Sequence, residues 1–175
     1  MNHGKKRHDR RTAGGRSGIS GGNHIRPYFE NIGKRVIKSP KIYFTDTGLA
    51  AHLLGITSAE QMTRDPLRGS LYENFLVMEI LKSRLNRGLW PDLYFYRDTH
   101  GNEVDLVIRE GRKLIPVEIK SAATFTEDFV KGIEHFRKTI GSRYSPGYVF
   151  YNGEKRHQFK GTQVCNLFVH GLQDI

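Results

Sequence analysis

A chain of 175 residues with a single cysteine and a formal charge of +10 is long enough to bury one sizeable core, because a domain near 150 residues hides about 70% of its unfolded surface. Cys165 has no partner for a disulfide and no neighbour at zinc spacing, so it reads as a small apolar residue of the last strand. No apolar run approaches the roughly 20 residues of a membrane span, and the N-terminus lacks the apolar core of a signal peptide. A soluble, cytoplasmic protein without membrane contact is expected.

The basic charge is concentrated at the start of the chain. Residues 1–26 hold seven Lys or Arg and one acid, Asp9, so +6 of the +10 falls there. Glycine-rich and almost free of apolar residues before Ile25, this stretch buries too little surface to offset its ordering entropy. Residues 1–24 are read as a disordered tail and 25–175 as the folded domain. The tail is either an arm for a phosphate backbone or a solvated extension.

Beyond the tail, Lys41 to Phe44 predicts a short strand. Thr45 or Asp46 can then cap a helix carrying Leu49, Ala50, Leu53 and Leu54, stopped by Gly55. Leu67 to Leu85 predicts the longest helix, apolar around much of its circumference and therefore largely buried, with Gly88 beyond its end. Leu93 to Tyr96 reads as a strand, Asp98 to Gly101 as a turn, and Val104 to Lys120 as a hairpin. Phe125, Phe129, Ile133, Phe136 and Ile140 then recur at helical spacing, and Gly147 to Tyr151 resumes a strand, placed beside the Glu118 strand by a right-handed crossover. The order is that of an α/β domain, a mixed β-sheet flanked by helices.

The hairpin carries the chemistry. A two-residue loop at Gly111-Arg112, glycine first as a type II′ turn prefers, pairs Leu106 with Val117, Ile108 with Ile115 and Val104 with Ile119, making one face apolar. The same register sets Asp105 across from Glu118. Directly opposed Cβ atoms lie roughly 4.5–5.5 Å apart, close enough for two carboxylates to repel unless a cation or proton lies between them. Lys120 follows on the face of Glu118. Two acidic groups and an ammonium on one strand pair suit a Mg²⁺-dependent phosphodiesterase, in which the metal takes oxygen ligands and the lysine orients or activates water.

Asp105, a spacer and Glu118-Ile119-Lys120 resemble the core of the PD-(D/E)XK nuclease superfamily, with Val104 standing where the motif has proline. Pro27-Tyr28-Phe29, Lys38-Ser39-Pro40-Lys41-Ile42-Tyr43-Phe44, Asp46-Thr47-Gly48-Leu49 and Tyr72-Glu73-Asn74 are similar to the domain of unknown function that follows the ATPase module in many prokaryotic AAA+ proteins. The resemblance covers roughly residues 25 to 155. It implies a restriction-endonuclease-like core, Mg²⁺ or Mn²⁺ held by Asp105, Glu118 and the Ile119 carbonyl, an upstream helical glutamate at Glu73, and Lys120 as the remaining catalytic residue. DNA is the implied substrate. An ATPase module lies ahead of this region in such proteins, so the chain looks like a stand-alone or truncated C-terminal half.

Each of these residues has a plainer reading. Ser70-x-x-Glu73 can be a capping box, Asp105 and Glu118 can be solvent-facing strand residues, and Lys120 can pair with Glu103. Tyr94, Phe95 and Tyr96 can stack bases or fill the core. The histidines, among them His52, His100, His135 and His157, show no paired ligand spacing. Neither the Gly14-to-Gly22 region nor Gly33-Lys34-Arg35 has the GxxxxGK[ST] order, so no ATPase activity is expected. A Mg²⁺-dependent nuclease-like domain acting on DNA is the leading expectation. A non-catalytic module of the same fold that docks an ATPase or another protein is the competing one.

Overall fold

The computed structural model describes residues 22–28 and 39–171. Residues 22–24, assigned to the tail from composition, open the first strand; the rest of the tail lies outside the described residues. The described strands are β1 (Gly22–Pro27), β2 (Lys41–Phe44), β3 (Leu93–Arg97), β4 (Glu103–Glu110), β5 (Lys113–Lys120), β6 (Tyr148–Tyr151), β7 (His157–Phe159) and β8 (Thr162–Cys165). They form one mixed sheet in the order β2-β1-β3-β4-β5-β6-β8-β7. The β1–β3, β5–β6 and β6–β8 pairs are parallel and the others antiparallel.

Helix α1 (Thr47–Leu53) starts where Asp46 accepts the Leu49 amide at 2.9 Å and is followed by Gly55 at a φ of 75°. A short helix that periodicity does not announce, α2 (Ala59–Arg64), is capped by Ser58. The long helix α3 (Arg68–Asn86) buries Leu76, Val77, Met78, Ile80 and Leu81 against the sheet. Leu71 packs on Ala50 and Ile56 beneath α1, so α3 has apolar neighbours on more than one side. Helix α4 (Lys131–Ile140) covers the other sheet face with Ile133, Phe136 and Ile140, and α5 (Leu167–His170) closes the described chain. The helix expected from Phe125 onward begins later: Glu127–Val130 is a 3-10 turn, and Phe125 packs edge-on against Phe129 and Phe159 ahead of it.

Alternation along the strands divides the core into two layers. Ile115, Val117 and Ile119 of β5 face α3, whereas Leu114 joins Val107, Tyr96 and Phe136 below α4. Phe95 and Tyr96 are core residues, and Cys165 is a buried thiol in β8.

The β4–β5 ladder runs from Glu110 opposite Lys113 to Leu106 opposite Val117, the expected register, with Gly111 at a φ of 58° as a II′ turn needs. The ladder ends at Leu106 and Val117, so the expected pairs of Asp105 with Glu118 and Val104 with Ile119 are not part of it. Tyr94 pairs with Val107 but Tyr96 pairs with Val104, so Asp105 and Leu106 both stand opposite Phe95. This β-bulge reverses the alternation: Val104 packs with Tyr28, Tyr96 and Phe136, not beside Ile119 in the α3 layer.

Candidate active site

The bulge aims Asp105 at the end of β5. Its Oδ2 accepts the Ile119 amide at 2.8 Å and the Lys120 ammonium at 3.1 Å, while Lys120 also donates to Glu118 Oε2 at 2.6 Å. Lys120 thus ties the two carboxyl groups together. With side chains 13% and 6% exposed, Asp105 and Glu118 are too buried for both to ionise without compensation. Burial, and then the neighbouring Asp105 charge, push the Glu118 carboxyl well above its ordinary range. Burial acts on Asp105 in the same sense, but the Lys120 charge, the Glu118 hydrogen bond and the Ile119 amide outweigh it and hold Asp105 low. Of the two, Glu118 is the one that holds a proton more readily. Lys120 loses solvation through burial yet is shifted upward by the two carboxyls, so it stays an ammonium.

Helix α4 lies directly over this pair. A Cβ at Gly132 would collide with the Glu103 carbonyl and Glu118 Oε1, so only glycine admits the helix this close.

Glu73 sits within α3, which begins after Leu67 with no side-chain cap, so the capping-box reading of Ser70 and Glu73 fails. Its Oε1 accepts the Lys41 ammonium at 3.0 Å and the Tyr43 hydroxyl at 2.6 Å. Asn74, next along the helix, bonds both the amide and the carbonyl of Phe44, satisfying backbone groups of β2 with a side-chain amide. The Lys41-to-Phe44 and Tyr72-to-Asn74 motifs are thus two halves of one clasp. Glu103 does not pair with Lys120. It binds Lys41 at 2.7 Å and Arg97 at 2.6 Å, because Asp105 and Glu118 already engage Lys120.

A cleft of about 550 Å³ runs from the charged side chains of Lys41, Glu73, Glu103 and Asp105 to an apolar wall that includes Phe44 and Leu54. A second cavity is lined by Glu73, Asp105, Ile119, Lys120 and Phe129. Glu73 and Asp105 line both. The structure thus brings Asp105, Glu118, Ile119 and Lys120 into direct contact, with Glu73 in the same cavity wall but bonded to Lys41 and Tyr43. Among the described residues no three His, Cys, Asp or Glu side chains are already gathered to hold a metal ion. The donor set still suits a hard cation: two buried carboxyls converge on one ammonium, a position that a divalent ion would take.

Lys41, Tyr43 and Arg97 are site residues that sequence reasoning missed. The period of two places Lys41 and Tyr43 on one face of β2, but their partner lies 30 or more residues away. His135 was also unforeseen: it anchors Asp98, whose carboxylate organises the turn before β4 by accepting the His100 and Asn102 amides.

Among known proteins, the chain is 39% identical over 100 residues to uncharacterized proteins of Mycobacterium bovis and Mycobacterium tuberculosis. The match covers 57% of this chain and 22% of each relative, so the chain spans well under half of their length. No solved structure matches. Residues 22–60 match a second domain of unknown function, DUF8612. With residues 68–169, from the start of α3 to α5, matching its model, the chain belongs to the family described as Domain of unknown function (DUF4143).

Proposed function

We propose that this domain is a Mg²⁺- or Mn²⁺-dependent nuclease-like module with a restriction-endonuclease-like core, acting on DNA. The observation that carries the reading is Lys120, in the wall of a cavity that Asp105 and Glu73 also line, bridging Asp105 to the buried Glu118 beside it. Asp105 and Glu118 would hold the ion, with the Ile119 carbonyl and Glu73 beside them. When bound, such an ion supplies a water of lowered pKa and neutralises charge on a phosphate. Glu118 would release its proton and Lys120 its bridge. Because its neighbours keep Lys120 protonated, it would act as a fixed positive charge on a hydroxide or phosphoryl oxygen, not as a base. The match to part of longer relatives is compatible with a domain appended to an ATPase.

A non-catalytic docking module is the second reading. It is favoured by the exposed apolar side chains of Ile42, Phe44, Leu49, Leu53 and Leu54 along β2 and α1, the sort of patch that marks a protein interface. Incubating wild type and Glu118→Gln with end-labelled single- and double-stranded DNA and Mn²⁺ separates the two. Cleavage by wild type alone is expected of a nuclease. No cleavage of either substrate would leave the docking module.

A further inference from the structure

Both donors that reach Glu73 arrive on the same oxygen. Lys41 Nζ and Tyr43 Oη converge on Oε1, and among the described residues no hydrogen bond is made to Oε2. The donors are themselves fixed. Tyr43 is 4% exposed and packs among the α3 residues of the core, and Lys41 lies 5.4 Å over the Phe95 ring while Glu103 holds it from the far side. Glu103 is in turn held by Arg97 through Nε at 2.9 Å and a second guanidinium nitrogen at 2.6 Å. A chain of contacts from β3 through β4 and β2 thus ends on one oxygen of one helical carboxylate. That carboxylate borders the two cavities that Asp105 and Ser70 also line.

We infer that Tyr43 and Lys41 are positioning residues for the proposed site: by clamping Oε1 of Glu73, they present its other oxygen to the cavity shared with Asp105, so that Glu73 serves as an oxygen donor to the bound cation. This rests on the metal-dependent reading of Asp105 and Glu118. Outer partners that orient a metal ligand change affinity without touching the metal, typically by 10–100-fold when removed.

Tyr43→Phe is the cleaner probe, because it removes one hydrogen bond and no charge. Mn²⁺ affinity, read from loss of the free-ion electron paramagnetic resonance signal, is to be measured for wild type, Tyr43→Phe, Glu73→Gln and the double variant, with circular dichroism confirming the fold. The expected result is a loss of about tenfold or more in Tyr43→Phe and no further loss when the change is made in Glu73→Gln. Should Tyr43→Phe not fold, Lys41→Gln gives the same cycle, since its charge effect is common to both backgrounds and cancels. Equal effects in the two backgrounds, or wild-type affinity in Tyr43→Phe, would overturn the clamp while leaving a metal site at Asp105 and Glu118. No Mn²⁺ binding by wild type would overturn the metal reading and the clamp with it.

Discussion

Glu118 shows how one side chain can be disfavoured by burial and still be kept. Its carboxyl retains its proton well above the ordinary range because it is buried beside the Asp105 charge. A group whose folded pKa is raised adds stability below its unfolded value, about 4.3, and that contribution is lost as pH rises through the folded value. Glutamine copies the protonated form, with an oxygen for Lys120 and a donor for Asp105. Glu118→Gln should therefore melt near wild type at pH 4 and increasingly above it toward pH 8 in EDTA. A melting difference that does not change with pH would show that Glu118 is already ionised across the range. Lys120→Met should be destabilising at neutral pH, by about 1–3 kcal/mol in urea, since it leaves Asp105 a buried charge without its ammonium. Unchanged stability would mean that solvent replaces Lys120.

At the scale of elements, the approach of α4 to the β4–β5 pair makes the site possible. Gly132→Ala should cost about 1–3 kcal/mol, because the new methyl meets a backbone carbonyl and the Glu118 carboxyl. Gly69→Ala in α3 has only Ser121 Oγ within reach, at 3.9 Å, and should stabilise by about 0.5–1 kcal/mol through helix propensity. Equal effects of the two changes in urea denaturation would remove the case for a close α4 contact. Where local chemistry dictates structure, the sequence was readable: Asp46 capped α1, the apolar girth of α3 predicted its burial, and the Gly111-Arg112 turn set the β4–β5 register. The bulge was not readable, because neither Asp105 nor Leu106 carries a backbone signal for it. It comes from how β4 meets β3, a tertiary pairing. The β7–β8 hairpin turns through Lys160-Gly161, both at positive φ, but lysine replaces the asparagine or aspartate that usually announces such a turn. The clasp of Lys41 and Tyr43 on Glu73 joins segments far apart in sequence, so no local pattern foreshadowed it.

For the whole molecule, affinity and chemistry should separate. If the basic residues of 1–21, the segment ahead of β1, neutralise phosphates, deleting it should weaken DNA binding and flatten its salt dependence, by about 0.9 in log–log slope for each phosphate no longer neutralised. Lys120→Ala should leave binding nearly intact and lower the metal-dependent cleavage rate on the order of 10²-fold or more. A gel-shift series over salt beside a cleavage assay reads both, and a deletion that leaves the slope unchanged would assign the tail no role in binding. No described helix is long and apolar enough to cross a membrane, so no transmembrane helix within that part constrains these assays. All of these outcomes turn on whether Asp105 and Glu118 accept a divalent ion in place of a proton and an ammonium. Calorimetric titration of Mn²⁺ into wild type and Asp105→Ala at pH 7.5, repeated in two buffers of different ionisation enthalpy, measures both binding and the proton exchanged. Saturable binding with proton release by wild type, abolished in Asp105→Ala, is the expected result; no binding heat for wild type, or matching isotherms for the two proteins, would contradict a metal site at this pair.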